Sequence, residues 1–246
     1  MRIYSKAPVG ATQAPGVVVI MHGPGLDAFV EDRVDDLARH GYAAAAPDLY
    51  HRQPADGADM MARIGRLRDN EIIADADATI AHLRAMKETR VTDLAVLGFC
   101  MGGRITYLLA GARPAAWRAA GVFYGGNIMK AWGDGPAPFD LTRDIAAPTI
   151  GFFGLDDTNP SPADVDKIDA ELSRHGKTHE FHRYEGAGHA FLNFTNPERH
   201  RPSQAKDAWE KMLAFLGRHL KVGGPEMAPH TPQRSARPGG PVARLE

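Results

Sequence analysis

The chain has 246 residues, of which 43% are hydrophobic and 24% charged, and its formal net charge is -1. That length suits one α/β domain with a substantial core, and the composition excludes disordered, fibrous and membrane-embedded classes. The balanced charge offers no general attraction to nucleic acid or anionic lipid, so neither is expected as a partner.

Residues 1–16 lack the hydrophobic segment of a signal peptide, and the apolar run Val17 to Met21 is too short for a bilayer, which sets the expectation of a cytoplasmic protein. Gly16 to His22 reads as a buried strand running into the turn His22-Gly23-Pro24-Gly25. Val30, Val34, Leu37 and Ala38 then share a helical face, and Gly41 stops that helix before a short strand, Tyr42 to Ala46. Pro47 closes the strand. Pro54 to Asp69 is polar and arginine-rich, the pattern of a loop with a short helix above a sheet.

Ile73, Ala76, Ile80 and Leu83 recur at helical spacing, followed by an apolar strand, Leu94 to Phe99, and a small-residue helix from Met101 to Ala110. Gly121 to Tyr124 and Pro148 to Phe153 are further buried strands, with Phe139 to Ala147 as connecting loop. Ser161-Pro162-Ala163-Asp164 provides a capping hydroxyl, a proline at the first helical position and an acid at the third, so a helix starts there. His179 to Tyr184 is the last strand. Ala205, Ala208, Trp209, Met212, Leu213, Leu216 and Leu220 form one face of a final helix begun by Ser203. Strands alternating with helices imply a mainly parallel sheet covered on both faces, in one domain over residues 1–222. Residues 223–246 hold five prolines and four glycines and read as a flexible tail.

In such sheets the chemistry lies at strand C-termini. Gly98-Phe99-Cys100-Met101-Gly102, with Gly103 behind it, falls where a strand turns into a helix. Small flanking residues permit the tight turn, and the helix N-terminus favours a thiolate, so the pattern is a nucleophile elbow. Cys100 is the only cysteine, which rules out an intrachain disulfide and weakens a thiol-redox cycle, since no resolving partner exists. An acid and then a histidine follow in the order of an α/β-hydrolase triad. Asp157 stands in Gly154-Leu155-Asp156-Asp157 and His189 in Gly186-Ala187-Gly188-His189, each just past a strand. A buried structural cysteine, a capping aspartate and an ordinary loop histidine account for these residues one at a time but not together.

With Ala46-Pro47-Asp48-Leu49-Tyr50, these motifs resemble the dienelactone hydrolase (carboxymethylenebutenolidase) family over residues 16 to 220. The resemblance implies the α/β-hydrolase fold and a hydrolase of small esters or lactones working through a Cys-His-Asp triad and a thioester. It places the acid on Asp157, with Asp156 in reserve, and oxyanion donors on the N–H groups of Met101 and Gly23. No cofactor or metal is called for. A general small-acyl esterase is the nearest alternative, and a non-catalytic ligand-binding or thiol-redox protein is the alternative of another class. Monomer and homodimer both stay open.

Two positions depart from the family. A glutamate that tunes the cysteine is replaced by His22, which can accept the thiol proton or serve only the turn. The arginine four residues beyond the histidine, which binds a substrate carboxylate, is replaced by Asn193, leaving Arg63, Arg66 or Arg68 as substitutes. Tyr50, His51, Arg52, Phe123, Tyr124 and Phe191 are further candidates to line the pocket. The departures predict a preference for neutral esters over carboxylate-bearing lactones.

Overall fold

The computed structural model describes residues 1–220, with no side-chain description for 89–92. Among the described residues seven strands form one sheet, in the order β1 (Ile3–Lys6), β3 (Ala43–Pro47), β2 (Ala14–Ile20), β4 (Thr89–Phe99), β5 (Ala119–Phe123), β6 (Thr149–Gly154) and β7 (His179–Tyr184). Strands β2 (Ala14–Ile20), β3 (Ala43–Pro47), β5 (Ala119–Phe123) and β6 (Thr149–Gly154) are buried at every residue. β4 (Thr89–Phe99) is buried from Leu94 to Phe99. Such continuous apolar runs need cover on both faces, and the helices supply it. Helix α1 (Ala28–Arg39) and α6 (Pro202–His219) share one face, where Trp209 Nε1 donates to Asp36 at 2.6 Å. On the other face α4 (Met101–Ala112) packs against α3 (Asp69–Ala85), and both α4 and α5 (Pro162–Arg174) meet the 3₁₀ helix described below.

Strands β2 to β7 run parallel; β1 (Ile3–Lys6) pairs antiparallel with β3, and β7 (His179–Tyr184) is the half-exposed opposite edge. From β2 the chain winds outward to β3, then crosses back to β4 on the other side. The C-terminal ends of β2 and β4 therefore flank the switch point where a crevice opens in such sheets.

The structure corrects the sequence reading at three places. Phe139 to Ala147, expected as loop, is largely a 3₁₀ helix (Pro138–Asp144), in which Thr142 Oγ1 donates to the Phe139 carbonyl and meets Tyr107 Oη at 2.7 Å. Ser203 does not begin the last helix; Arg201 occupies the cap position without a side-chain bond and Pro202 leads the first turn. Strand β1 was not foreseen. The arginine-rich segment does carry a short helix, α2 (Met60–Gly65), capped by Asp59, and the Ser161–Asp164 capping box is formed. Among the described residues no helix is long and apolar enough to cross a membrane. The segment 223–246 lies outside the described residues.

Candidate active site

Cys100 joins β4 to α4 with φ 57° and ψ -120°, a backbone region that costs a non-glycine residue about 1–3 kcal/mol. The turn is enforced from below. Cys100 N–H donates to the Phe123 carbonyl at 3.0 Å, and a Cβ on Gly102 would stand 2.4 Å from the Ile20 carbonyl oxygen, so α4 starts in direct contact with β2.

The loops after β6 and β7 are knitted together. Leu155 and Asp156 donate main-chain N–H groups to the carbonyls of Tyr184 and Ala187, at 2.9 and 3.0 Å. A Cβ on Gly154 would lie 2.1 Å from the Ala187 oxygen, which leaves room for glycine alone. Buried Asp157 thereby faces His189, with Oδ2 at 2.9 Å from Nδ1. Its Oδ1 accepts the Asn159 N–H at 2.8 Å, and Asp156 is exposed. His189 Nε2 lies 3.0 Å from Cys100 Sγ.

Burial pushes the Cys100 thiol up, but His189 and the N–H groups of Met101 and Gly23 outweigh it and hold the thiol below its usual range. Burial likewise disfavours a charged His189, yet its bonds to Asp157 and Cys100 raise it to about 10. Both shifts favour a thiolate beside an imidazolium.

His22 is buried, and its Nε2 lies 2.9 Å from Asp27 Oδ2. Asp27 also caps α1 through the N–H groups of Phe29 and Val30. His22 thus links the turn after β2 to the start of α1.

The cleft over Cys100 has a volume of about 410 Å³. His22, Met101 and Asn193 border it with Cys100 and His189. Asn193 Oδ1 accepts from Thr195 N and Oγ1 at 3.0 and 2.7 Å, so its amide nitrogen is the group left for a ligand.

Several sequence candidates lie elsewhere. Tyr50 is beneath the wall: its hydroxyl donates to the Gly23 carbonyl at 2.7 Å and contacts Met101 Sδ at 3.5 Å, bracing the turn that carries Gly23. Arg52 makes a two-pronged pair with Asp75 at 2.6 and 2.7 Å, joined by His51 at 3.1 Å. Phe123, Tyr124 and Phe191 are core, the Tyr124 ring standing 5.4 Å from both His189 and Phe191. Arg63 stacks 3.9 Å over Tyr50, Arg66 pairs with Asp56 and Arg68 donates to the Gly65 and Leu67 carbonyls, so none of the three borders the cleft.

Sequence reasoning missed most of the lining. Met60, Met61, Ile64 and Trp132 form an apolar part, and Asn127, Asn159, Asn196 and Arg199 a polar part. Arg199 is exposed, and its guanidinium makes no ion pair or hydrogen bond with the described residues, its main-chain N–H alone donating to Asn196 Oδ1 at 3.4 Å. Met60 and Met61 in an otherwise polar segment were the one available signal, since apolar side chains on a short helix that buries none of them in the core are free to face a cleft.

Residues 1–220 match the model of the Dienelactone hydrolase family. The chain belongs to the dienelactone hydrolase family. It is 32% identical over 229 residues to a "Putative carboxymethylenebutenolidase" of Synechocystis sp., covering 89% of this chain and 92% of the relative. A crystal structure of a "Putative Dienelactone Hydrolase" from Klebsiella pneumoniae superposes with a TM-score of 0.81 at 29% identity, covering 87% of this chain and 92% of that one. A thermophilic esterase from Thermogutta terrifontis shares the fold, with a TM-score of 0.67 at 18% identity and coverage of 90% and 91%. This family member is a hydrolase of the dienelactone type with an ester or lactone as the family's substrate.

Proposed function

We propose that this hydrolase cleaves small carboxylic esters and lactones by covalent catalysis on Cys100. The observation that carries the reading is the aligned contact of Sγ with His189 Nε2 at 3.0 Å and of Nδ1 with Asp157 at 2.9 Å. The Cys100 thiolate attacks the carbonyl carbon to form a tetrahedral adduct. Its oxyanion is met by the N–H groups of Met101 and Gly23, which in the free protein point at the sulfur. Collapse expels the alkoxide, and the His189 imidazolium donates its Nε2 proton to it, leaving a thioester. Neutral His189 then takes a proton from water, the hydroxide attacks the thioester, and the acid product leaves as the thiolate is restored. Asp157 holds the ring and its tautomer throughout.

The pairing in the free protein supports cysteine chemistry, because a thiolate is already the nucleophile and needs no base for the first step. The test is a panel of activated esters and unsaturated lactones with the wild type and Cys100→Ala. Turnover by the wild type, with a thioester trapped in quenched single-turnover samples, is expected. Full turnover by Cys100→Ala overturns the assignment.

A further inference from the structure

Arg104 is fully buried, four residues past the nucleophile on α4. It grips both oxygens of Asp69, the first residue of α3: Nη1 contacts Oδ1, and Nη2 reaches Oδ2 at 2.8 Å while also donating to the Lys130 carbonyl at 2.5 Å. Asp69 is buried as well and grips Trp132 in turn. It accepts the Trp132 N–H on Oδ2 at 2.9 Å and donates its own N–H to the Trp132 carbonyl at 2.7 Å. The Arg104 guanidinium carbon lies 4.0 Å from the Trp132 ring centroid. One loop residue is therefore held through its main chain, through the carbonyl two residues before it and through its ring, and that half-buried ring borders the cleft over Cys100.

A buried ion pair is a weak device for stability, because the cost of desolvating two charges consumes most of their attraction. Its geometric product is more informative. Asp69 begins α3 and Arg104 lies in the first turn of α4, and the loop after β5 is pinned where they meet, in one orientation. A glycine-rich segment such as Gly125-Gly126-Asn127 would not itself fix an indole. Guanidinium contact on an aromatic ring further selects the ring's plane.

We propose that Trp132, positioned by the Asp69–Arg104 pair, is a fixed stacking platform that makes this hydrolase favour substrates carrying a flat ring over equally apolar non-planar ones. The inference rests on the ester-hydrolase reading above. Met60, Met61 and Ile64 border the same cleft and offer adaptable contacts that accept either shape, so the discrimination falls to the indole. Trp132 is a specificity residue; Asp69 and Arg104 act through it as positioning residues.

Benzyl acetate and cyclohexylmethyl acetate test this, being close in size and in leaving-group acidity but different in flatness. Trp132→Leu is expected to raise KM for benzyl acetate at least fivefold and for cyclohexylmethyl acetate less than twofold, with kcat unchanged for both. Arg104→Lys, which keeps the charge but loses the two-pronged grip, is expected to move the two KM values in the same unequal way. Equal changes for both esters in Trp132→Leu overturn the platform. If Arg104→Lys fails to fold, Asp69→Asn takes its place, and a folded positioning variant with an unchanged benzyl acetate KM removes the pair from the account. The same two esters are titrated calorimetrically into Cys100→Ala with and without Trp132→Leu. A Trp132-dependent preference in binding without wild-type turnover overturns the hydrolase reading and upholds the platform; turnover without that preference does the reverse.

Discussion

Cys100 sits where opposing effects meet on one sulfur: burial favours the neutral thiol, while His189 and two backbone N–H groups favour the thiolate and prevail. A lowered thiol value means that the thiolate persists as pH falls below the usual range and is lost only at the lower folded value; the imidazolium, raised to about 10, is lost as pH climbs through that value. Alkylation by iodoacetamide should therefore fall less between pH 8.5 and 6.5 than the roughly fiftyfold expected for a free thiol. His189→Ala should restore the steep dependence, and a steep wild-type profile would contradict the paired state. The acid is tested by contrast: Asp157→Asn should reduce kcat by up to about four orders of magnitude through the wrong imidazole tautomer. Asp156→Asn should leave it within about twofold, because the Asp156 side chain is exposed.

At the scale of elements, the position of Cys100 depends on how closely α4 can approach β2. Gly102→Ala would place a Cβ 2.4 Å from the Ile20 oxygen and 2.5 Å from that of Met21. Overpacking against backbone costs about 1–3 kcal/mol or more, which for a domain of this size lowers Tm by roughly 2–12 °C. Gly217→Ala in α6 meets nothing within 4 Å and should instead raise stability by about 0.5–1 kcal/mol. A calorimetric scan showing the same sign for both would undercut the close-approach argument. These contacts also explain what was legible. Strands β2 and β6 are continuous apolar runs, and the motifs around Cys100, Asp157 and His189 mark strand ends, so topology alone brings them near one another. Strand β1 was not legible because four residues, Ile3 to Lys6, are too few for a period; their pairing is set by the edge that β3 offers. Trp132 was invisible for another reason: it reaches the cleft from a loop whose path depends on a distant partner, Asp69, 63 positions earlier. Arg199 sits in a polar turn held by local bonds to Asn196, which reads as solvated surface.

Over the whole molecule a net charge of -1 conceals how the cations are spent around the cleft. Arg52, Arg63, Arg66, Arg68 and Arg104 are held by Asp75, Tyr50, Asp56, main-chain carbonyls and Asp69 respectively. Pulling any of them over a substrate would break an existing contact, and for Arg104 would leave Asp69 buried without its counter-ion. Arg199 is the cation that borders the cleft without an ion-pair partner among the described residues. An exposed ion pair contributes about 0.2–1 kcal/mol, against about 1.5–3 kcal/mol for a charge-assisted hydrogen bond in a closed site. We therefore expect kcat/KM for an unsaturated lactone carboxylate to exceed that for its methyl ester by no more than about fivefold, if at all. Any such advantage should shrink in Arg199→Gln and in high salt, as screening requires at an exposed site. A preference for the free acid well beyond tenfold that survives both changes would mean that one of the paired arginines leaves its partner to reach the substrate.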